Sequence, residues 1–208
     1  VAPYAYDENG RRVVAPSKGE LREKAILDEA EKQLVSSGSD AMTVESIANA
    51  AGLTRGALYR YFRSKNDVLA ALIQRVTVEL RGAVGTRRIA LPHSPQVALE
   101  AAIDLTADIW MRHGAVMATA IELSPSVPVI ASLWTGARDD ISKSATEIVT
   151  AGRAAEESSP ESVMTLVPLL VGMTERAFYE AFTDGKALDA TSAAIKLIWN
   201  RTFGFDRP

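Results

Sequence analysis

An all-α fold follows from three features of the 208-residue sequence. From residue 20 onward apolar residues recur at three- and four-residue intervals, no run alternates apolar and polar residues as a half-buried strand would, and glycine, proline and serine breaks separate the periodic stretches. The pattern gives an arm over residues 1–19, a three-helix unit over 20–66 and a larger helical unit over 67–208, joined by a helix over 65–82. A hydrophobic content of 47% is enough for a real core.

The arm is polar over residues 4–19, holds two prolines and lacks helical periodicity, which predicts mobility. Its Arg11, Arg12 and Lys18 either reach a DNA minor groove or are incidental charges of a free tail. A helix over 20–37 carries Leu21, Ala25, Ile26, Ala30 and Leu34 as its core-facing stripe and ends at Ser36-Ser37-Gly38. Thr43 has the side chain of an N-cap for a second helix, in which Val44, Ile47, Ala48 and Ala51 fall at helical spacing. Gly52 stops that helix, because glycine adopts the left-handed conformation past a helix end without steric cost. Thr54 caps a third helix over 55–62 that buries Leu58 and Phe62, while Arg55, Gly56, Tyr59, Arg60 and Arg63 lie largely elsewhere on its surface. Ser64 caps the helix that begins at Lys65 and buries Val68, Leu69, Leu72 and Val76.

Two short helices about a glycine turn, the second basic and aromatic, have the build of a helix-turn-helix that meets a DNA major groove. Arginine donates to guanine or phosphate, tyrosine hydroxyls reach phosphate, and Gly56 lets the backbone approach closely. Lysine at a helix N-terminus adds charge where free N–H groups already favour phosphate.

The run Thr43-x3-Ile47-Ala48-x2-Ala51-Gly52-Leu53-Thr54 followed by Gly56-Ala57-Leu58-Tyr59-x-Tyr61-Phe62-x-Ser64-Lys65 resembles the DNA-binding domain of the TetR family of bacterial transcriptional regulators. The similar segment, residues 21–72, covers about a quarter of the chain. The resemblance implies that Thr54, Arg55, Gly56 and Tyr59 face bases or adjoining backbone and that Thr43, Tyr61 and Lys65 hold phosphates. Arg60 and Arg63 transfer less directly.

Charge is consistent with that expectation only locally. The chain carries −3 overall, yet residues 1–66 hold ten Lys/Arg against nine Asp/Glu, and residues 53–65 hold four basic residues and no acid. Binding through such a strip is salt-sensitive. The sequence has no cysteine, no stretch near the ~20 apolar residues of a membrane span and no signal-like start, which together lead to the expectation of a cytoplasmic protein. Two histidines, no cysteine, no HExxH, no GxSxG and no phosphate-binding glycine loop argue against an enzyme, a metal site or a cofactor.

Beyond a glycine- and proline-bearing boundary over 82–95, the pattern predicts helices over 95–113, a short one from Gly114 to near 124, then 127–155, 161–183 and 189–203, with a break at 156–160. The last two carry more apolar surface than one core face needs. A second copy would cover the excess in a four-helix bundle; burial within the monomer is the alternative. Leu99, Ile103, Thr106 and Trp110, with Met117 and Ile121, then Trp134, Arg138 and Ile141, then Val171, Thr174 and Phe178, and last Trp199, form an apolar set with isolated polar groups. Such a set either fills a core or lines a pocket for a hydrophobic small molecule. The C-terminal half resembles, more loosely, the TetR-family branch that holds the mycobacterial ethionamide-resistance repressor, through residues 129–134, 173–179 and Ile198-Trp199. That implies a narrow aromatic-lined tunnel whose occupancy weakens DNA binding. Arg138 departs from that relative's apolar groups: facing the tunnel it needs an acidic partner, whereas Asp139 and Asp140 beside it favour a solvated helix face. The expectation is a repressor that binds a palindromic operator as a dimer and is released by an apolar ligand, against an architectural or ligand-independent DNA binder with a filled core.

Overall fold

The computed structural model describes residues 5–6, 12–13, 17–89, 94–151 and 160–205. Two compact units part between Val68 and Leu69. Within the arm, β1 (Ala5–Tyr6) pairs antiparallel with β2 (Arg12–Val13), Ala5 opposite Val13 and Tyr6 opposite Arg12. Two residues per strand add no sheet layer, so the fold remains all-α. The groove-binding role considered for Arg11 and the break at 156–160 lie largely outside the described residues.

In the first unit α1 (Lys18–Ala41) starts at a reciprocal cap: Ser17 Oγ accepts from the Glu20 N–H (3.2 Å) and Glu20 Oε2 accepts from the Ser17 N–H (2.7 Å). Gly38, at φ 74°, interrupts it where the sequence indicated. Its buried stripe is Ile26, Leu27, Ala30 and Leu34. Leu21 is exposed and Leu27 replaces it, a rotation of the stripe that repeated i, i+4 spacing does not distinguish. The helix α2 (Val44–Ala50) is capped by Thr43. It closes with Leu53 N–H donating to Ala48 (2.8 Å) and Gly52 N–H to Asn49 (3.1 Å), with Gly52 at φ 65°. Gln33 on α1 clamps α2, donating to the Ser46 carbonyl (3.1 Å) and accepting from Ser46 Oγ (2.8 Å).

The third helix, α3 (Arg55–Leu58), is shorter than the 55–62 expected. After Leu58 the chain tightens: Arg60 N–H donates to Ala57 and Tyr61 N–H to Leu58, both three-residue steps. The tightening still delivers Phe62 to the core beside Leu58.

The fourth helix, α4 (Lys65–Ile89), runs through part of the stretch expected as a loop. Its first turn is fixed by Asp67, whose N–H donates to Ser64 Oγ (3.1 Å) while its carboxylate accepts from the Arg63 N–H (3.0 Å). The second unit contains the rest of α4 with α5 (Pro95–Leu123), α6 (Pro128–Ala151), α7 (Pro160–Thr183) and α8 (Leu188–Phe203). Here α5 packs on α6, α7 and α8, and α7 on α6 and α8. As the sequence indicated, α5 breaks at His113 (φ −127°, ψ 20°), so it is two helical segments joined across a kink just before Gly114. Side-chain bonds across the bundle fix its register: Ser192 Oγ donates to Asp104 (3.0 Å) and Asn200 to Glu100 (2.7 Å). Arg81 on α4 pairs with Asp140 on α6 at 2.8 Å, and Arg112 and His113 both meet Glu79. Among the described residues no single helix is long and apolar enough to cross a membrane.

Gly114 serves packing. A Cβ there would come 2.2 Å from the Phe182 ring, which itself rests on Trp110 with centroids 5.9 Å apart. Gly114→Ala is therefore expected to destabilise the protein by about 1–3 kcal/mol through overpacking, read as a lowered midpoint in urea unfolding.

Candidate functional site

Among the described residues two places suit the binding of a partner, one in each unit. On the first, Thr54 caps α3 by accepting from the Ala57 N–H (3.2 Å), and Leu58 pins the helix from beneath. This fixes which residues face outward. Arg55, Gly56, Tyr59, Arg60 and Tyr61 are exposed. The Arg55 guanidinium donates to Tyr59 Oη from Nη2 (3.1 Å) and lies 5.5 Å from the centre of the Tyr59 ring, so the two side chains hold one another. A Cβ at Gly56 would meet nothing within 4 Å, so the helix is bare on that side. Thr43 is exposed too; its oxygen accepts from the Ser46 N–H (3.0 Å), and a capping hydroxyl keeps its hydrogen for donation.

Lys65 is half-buried and donates from Nζ to the Ser39 carbonyl (3.0 Å). The ammonium thus ties the end of α1 to the start of α4, and two of its three hydrogens remain for another acceptor. Sequence spacing could not show this bond between residues 26 apart.

The second place is a cavity inside the larger unit, with about 80 Å³ open to the centre of a water-sized sphere, well above the ~10–15 Å³ that one water needs. From α5 it is lined by Leu99, Ala102, Ile103, Thr106, Trp110 and Met117, and from α4 by Leu80. Trp134, Ala137, Arg138, Ile141, Ala145 and Ile148 line it from α6, Val171, Thr174 and Glu175 from α7, and Trp199 from α8. Phe178 and Ile121 do not reach it. Phe178 is fully buried and stacks behind Trp110 at 6.4 Å, filling core; Ile121 follows Met117 by a full turn and is only half-buried. The residues that sequence reasoning missed on α6 continue its own periodicity, since Trp134, Ala137, Ile141, Ala145 and Ile148 share one helical face.

Arg138 lines the cavity and is at the same time exposed to solvent, its side chain 45% accessible, so both readings of it hold in part. Its Nε forms an ion pair with Glu175 Oε2 at 3.2 Å, and that oxygen accepts from Trp134 Nε1 at 3.1 Å. Glu175 is the acidic partner that sequence alone did not identify, because it comes from another helix. Burial pushes the Glu175 carboxyl above the ordinary carboxylate range, against the opposing pull of Arg138 and Trp134. Elsewhere on the wall Trp199 Nε1 donates to Thr174 Oγ1 at 3.0 Å. Among the described residues no group of three histidine, cysteine or acidic side chains is arranged to hold a metal ion.

Residues 26–72 match the model of the bacterial regulatory proteins of the tetR family. Over 201 residues, 94% of this chain and 92% of the relative, the sequence is 29% identical to the HTH-type transcriptional regulator EthR of Mycolicibacterium smegmatis. The fold is similar to that of the fatty acid degradation regulator FadR from Bacillus halodurans, with a TM-score of 0.72 at 17% identity over 89% of this chain and 96% of that one. A TetR-like transcriptional regulator from Rhodococcus sp. RHA1 gives 0.68 at 21% identity, over 92% of this chain and 100% of that one.

Thr174 is the acceptor for a buried indole N–H, so Thr174→Val is expected to cost about 1–3 kcal/mol in unfolding free energy. Thr174→Ser, which keeps the oxygen, should recover most of that loss in the same denaturation measurement.

Proposed function

We propose that the chain, which belongs to the tetR family of bacterial transcriptional regulators, is a repressor that binds a palindromic operator as a homodimer and is released from it by a small hydrophobic ligand. The apolar cavity carries the ligand-gated part of this reading. Packed interiors leave few voids larger than a water, yet this one is bounded by three tryptophans and opens beside a charged pair. An architectural DNA binder with a filled core has no use for such a space.

On the DNA side, Arg55, Gly56 and Tyr59 present the surface that meets base edges and adjoining backbone, with Thr54 at its start. Thr43, Tyr61 and Lys65 hold phosphates around it, and Arg60 adds charge. The dimer is supported by apolar side chains left open on the last two helices: Met164 and Leu169 on α7, Leu197 and Ile198 on α8. A second copy covering them completes a four-helix bundle and relates two recognition helices by a two-fold axis, matching a dyad in DNA. Ligand binds better to the conformation whose recognition helices are badly spaced, with α4, which belongs to both units, as the link. A coupling of ~1–3 kcal/mol then changes DNA affinity roughly 5- to 150-fold.

Selection of bound sequences from a random duplex pool at ~150 mM salt should enrich a dyad; recovery of no preferred sequence argues against a sequence-specific repressor. Gly56→Ala is expected to leave the melting temperature unchanged or raised, since the new methyl meets open space, while weakening operator binding in a titration by about tenfold. Ile198→Asp should convert the dimer to monomer in sedimentation velocity and abolish dyad binding without unfolding the chain.

A further inference from the structure

The polar groups of the cavity wall indicate what its ligand carries, an assignment that rests on the ligand-gated reading above. We infer that the cavity takes an apolar chain ending in a carboxylate, and that the Arg138 guanidinium, between α6 and α7, holds the head group.

Four wall residues other than the tryptophans have polar side chains, and two of them are neutral hydroxyls partly engaged within the wall. Thr106 Oγ1 donates to the Ala102 carbonyl of its own helix (2.8 Å), and Thr174 Oγ1 accepts from Trp199. The charged groups of the wall are Arg138 and Glu175, and they decide the charge of a head group. Glu175 is the less accessible, with its side chain 20% exposed against 45% for Arg138, and its carboxylate already accepts from Trp134 and faces the Arg138 charge. Arg138 forms an ion pair with Glu175 through Nε and has a fork of Nη donors besides. Gly172 gives that fork room: a Cβ at 172 would stand 3.4 Å from Arg138 Nη2, so the guanidinium passes over the α7 backbone.

A group offering acceptors and negative charge suits this wall. Two carboxylate oxygens match the spacing of a guanidinium fork, whereas an ester offers weaker acceptors and an ammonium is repelled. A tail with no head group would cover Arg138 and return nothing for the water it displaces. The neighbouring Glu175 opposes a second carboxylate less than a solvated acid would, because burial moves its carboxyl above the ordinary range against the pull of Arg138 and Trp134.

The test is calorimetric titration of the full chain with decanoate, methyl decanoate and decylamine, each below its aggregation limit. Decanoate should bind about tenfold more tightly than its methyl ester, the low end for a charged hydrogen bond because Arg138 is partly exposed. Arg138→Met should bind acid and ester alike. Equal affinity of the unaltered protein for acid and ester, or tighter binding of decylamine, overturns the carboxylate assignment and leaves the ligand-gated reading standing. Binding of none of the three overturns both. The comparison on the unaltered protein decides the matter even if the variant does not fold.

Discussion

A four-residue helix has no stability of its own. Helix formation fixes several residues before the first hydrogen bond returns anything, so α3 exists only because its surroundings hold it. The Gly52 turn sets its direction, Thr54 satisfies its first free N–H groups, and Leu58 with Phe62 fastens it to the core made by α1 and α2. Gln33 and Lys65 add ties from α1 to α2 and from α4 to the end of α1. The outward surface is thus a product of everything beneath it: every exposed side chain of α3 is aimed by contacts made on its other face.

The larger unit solves a different problem. Its interior is rich in tryptophan and aliphatic side chains, and such surfaces pack in many nearly equivalent ways. Paired polar groups remove that ambiguity. Trp199 with Thr174, Asn200 with Glu100 and Ser192 with Asp104 each join two helices at one register, since a slip would strand a buried donor or acceptor. Trp134, Glu175 and Arg138 do the same between α6 and α7, while placing charge on the wall of an otherwise apolar space.

What the sequence made legible was local. Caps at Thr43, Thr54 and Ser64, the turn at Gly52 and the stripe of Trp134, Arg138 and Ile141 depend on neighbours within a few residues, and such rules read directly from spacing. The extent of α3 did not read this way, because three-residue and four-residue hydrogen bonding differ little in the residues they accept. Nor did the continuation of α4 to Ile89 through a glycine-bearing stretch. Glu175 as the partner of Arg138, and Phe178 as core behind Trp110, are decided by how helices far apart in sequence are turned toward one another. The adjacent Asp139 and Asp140 argued for a solvated Arg138, which is indeed exposed; its second role on the cavity wall depends on Glu175 of another helix, which local charges do not show.

The kink at His113 has a mechanical meaning. Residues 114–123 form a helical arm about 15 Å long beyond that joint, so a swing of about 10° would carry its far end by about 2.6 Å. Trp110 stands before the joint and Met117 after it, both on the cavity wall, so the distance between them is governed by two backbone torsions as well as by side-chain rotamers. The Phe182 ring lies against Gly114, the residue next to those torsions. The spacing of those two wall residues is accordingly set in part by the kink, so a residue that does not line the cavity can alter its width.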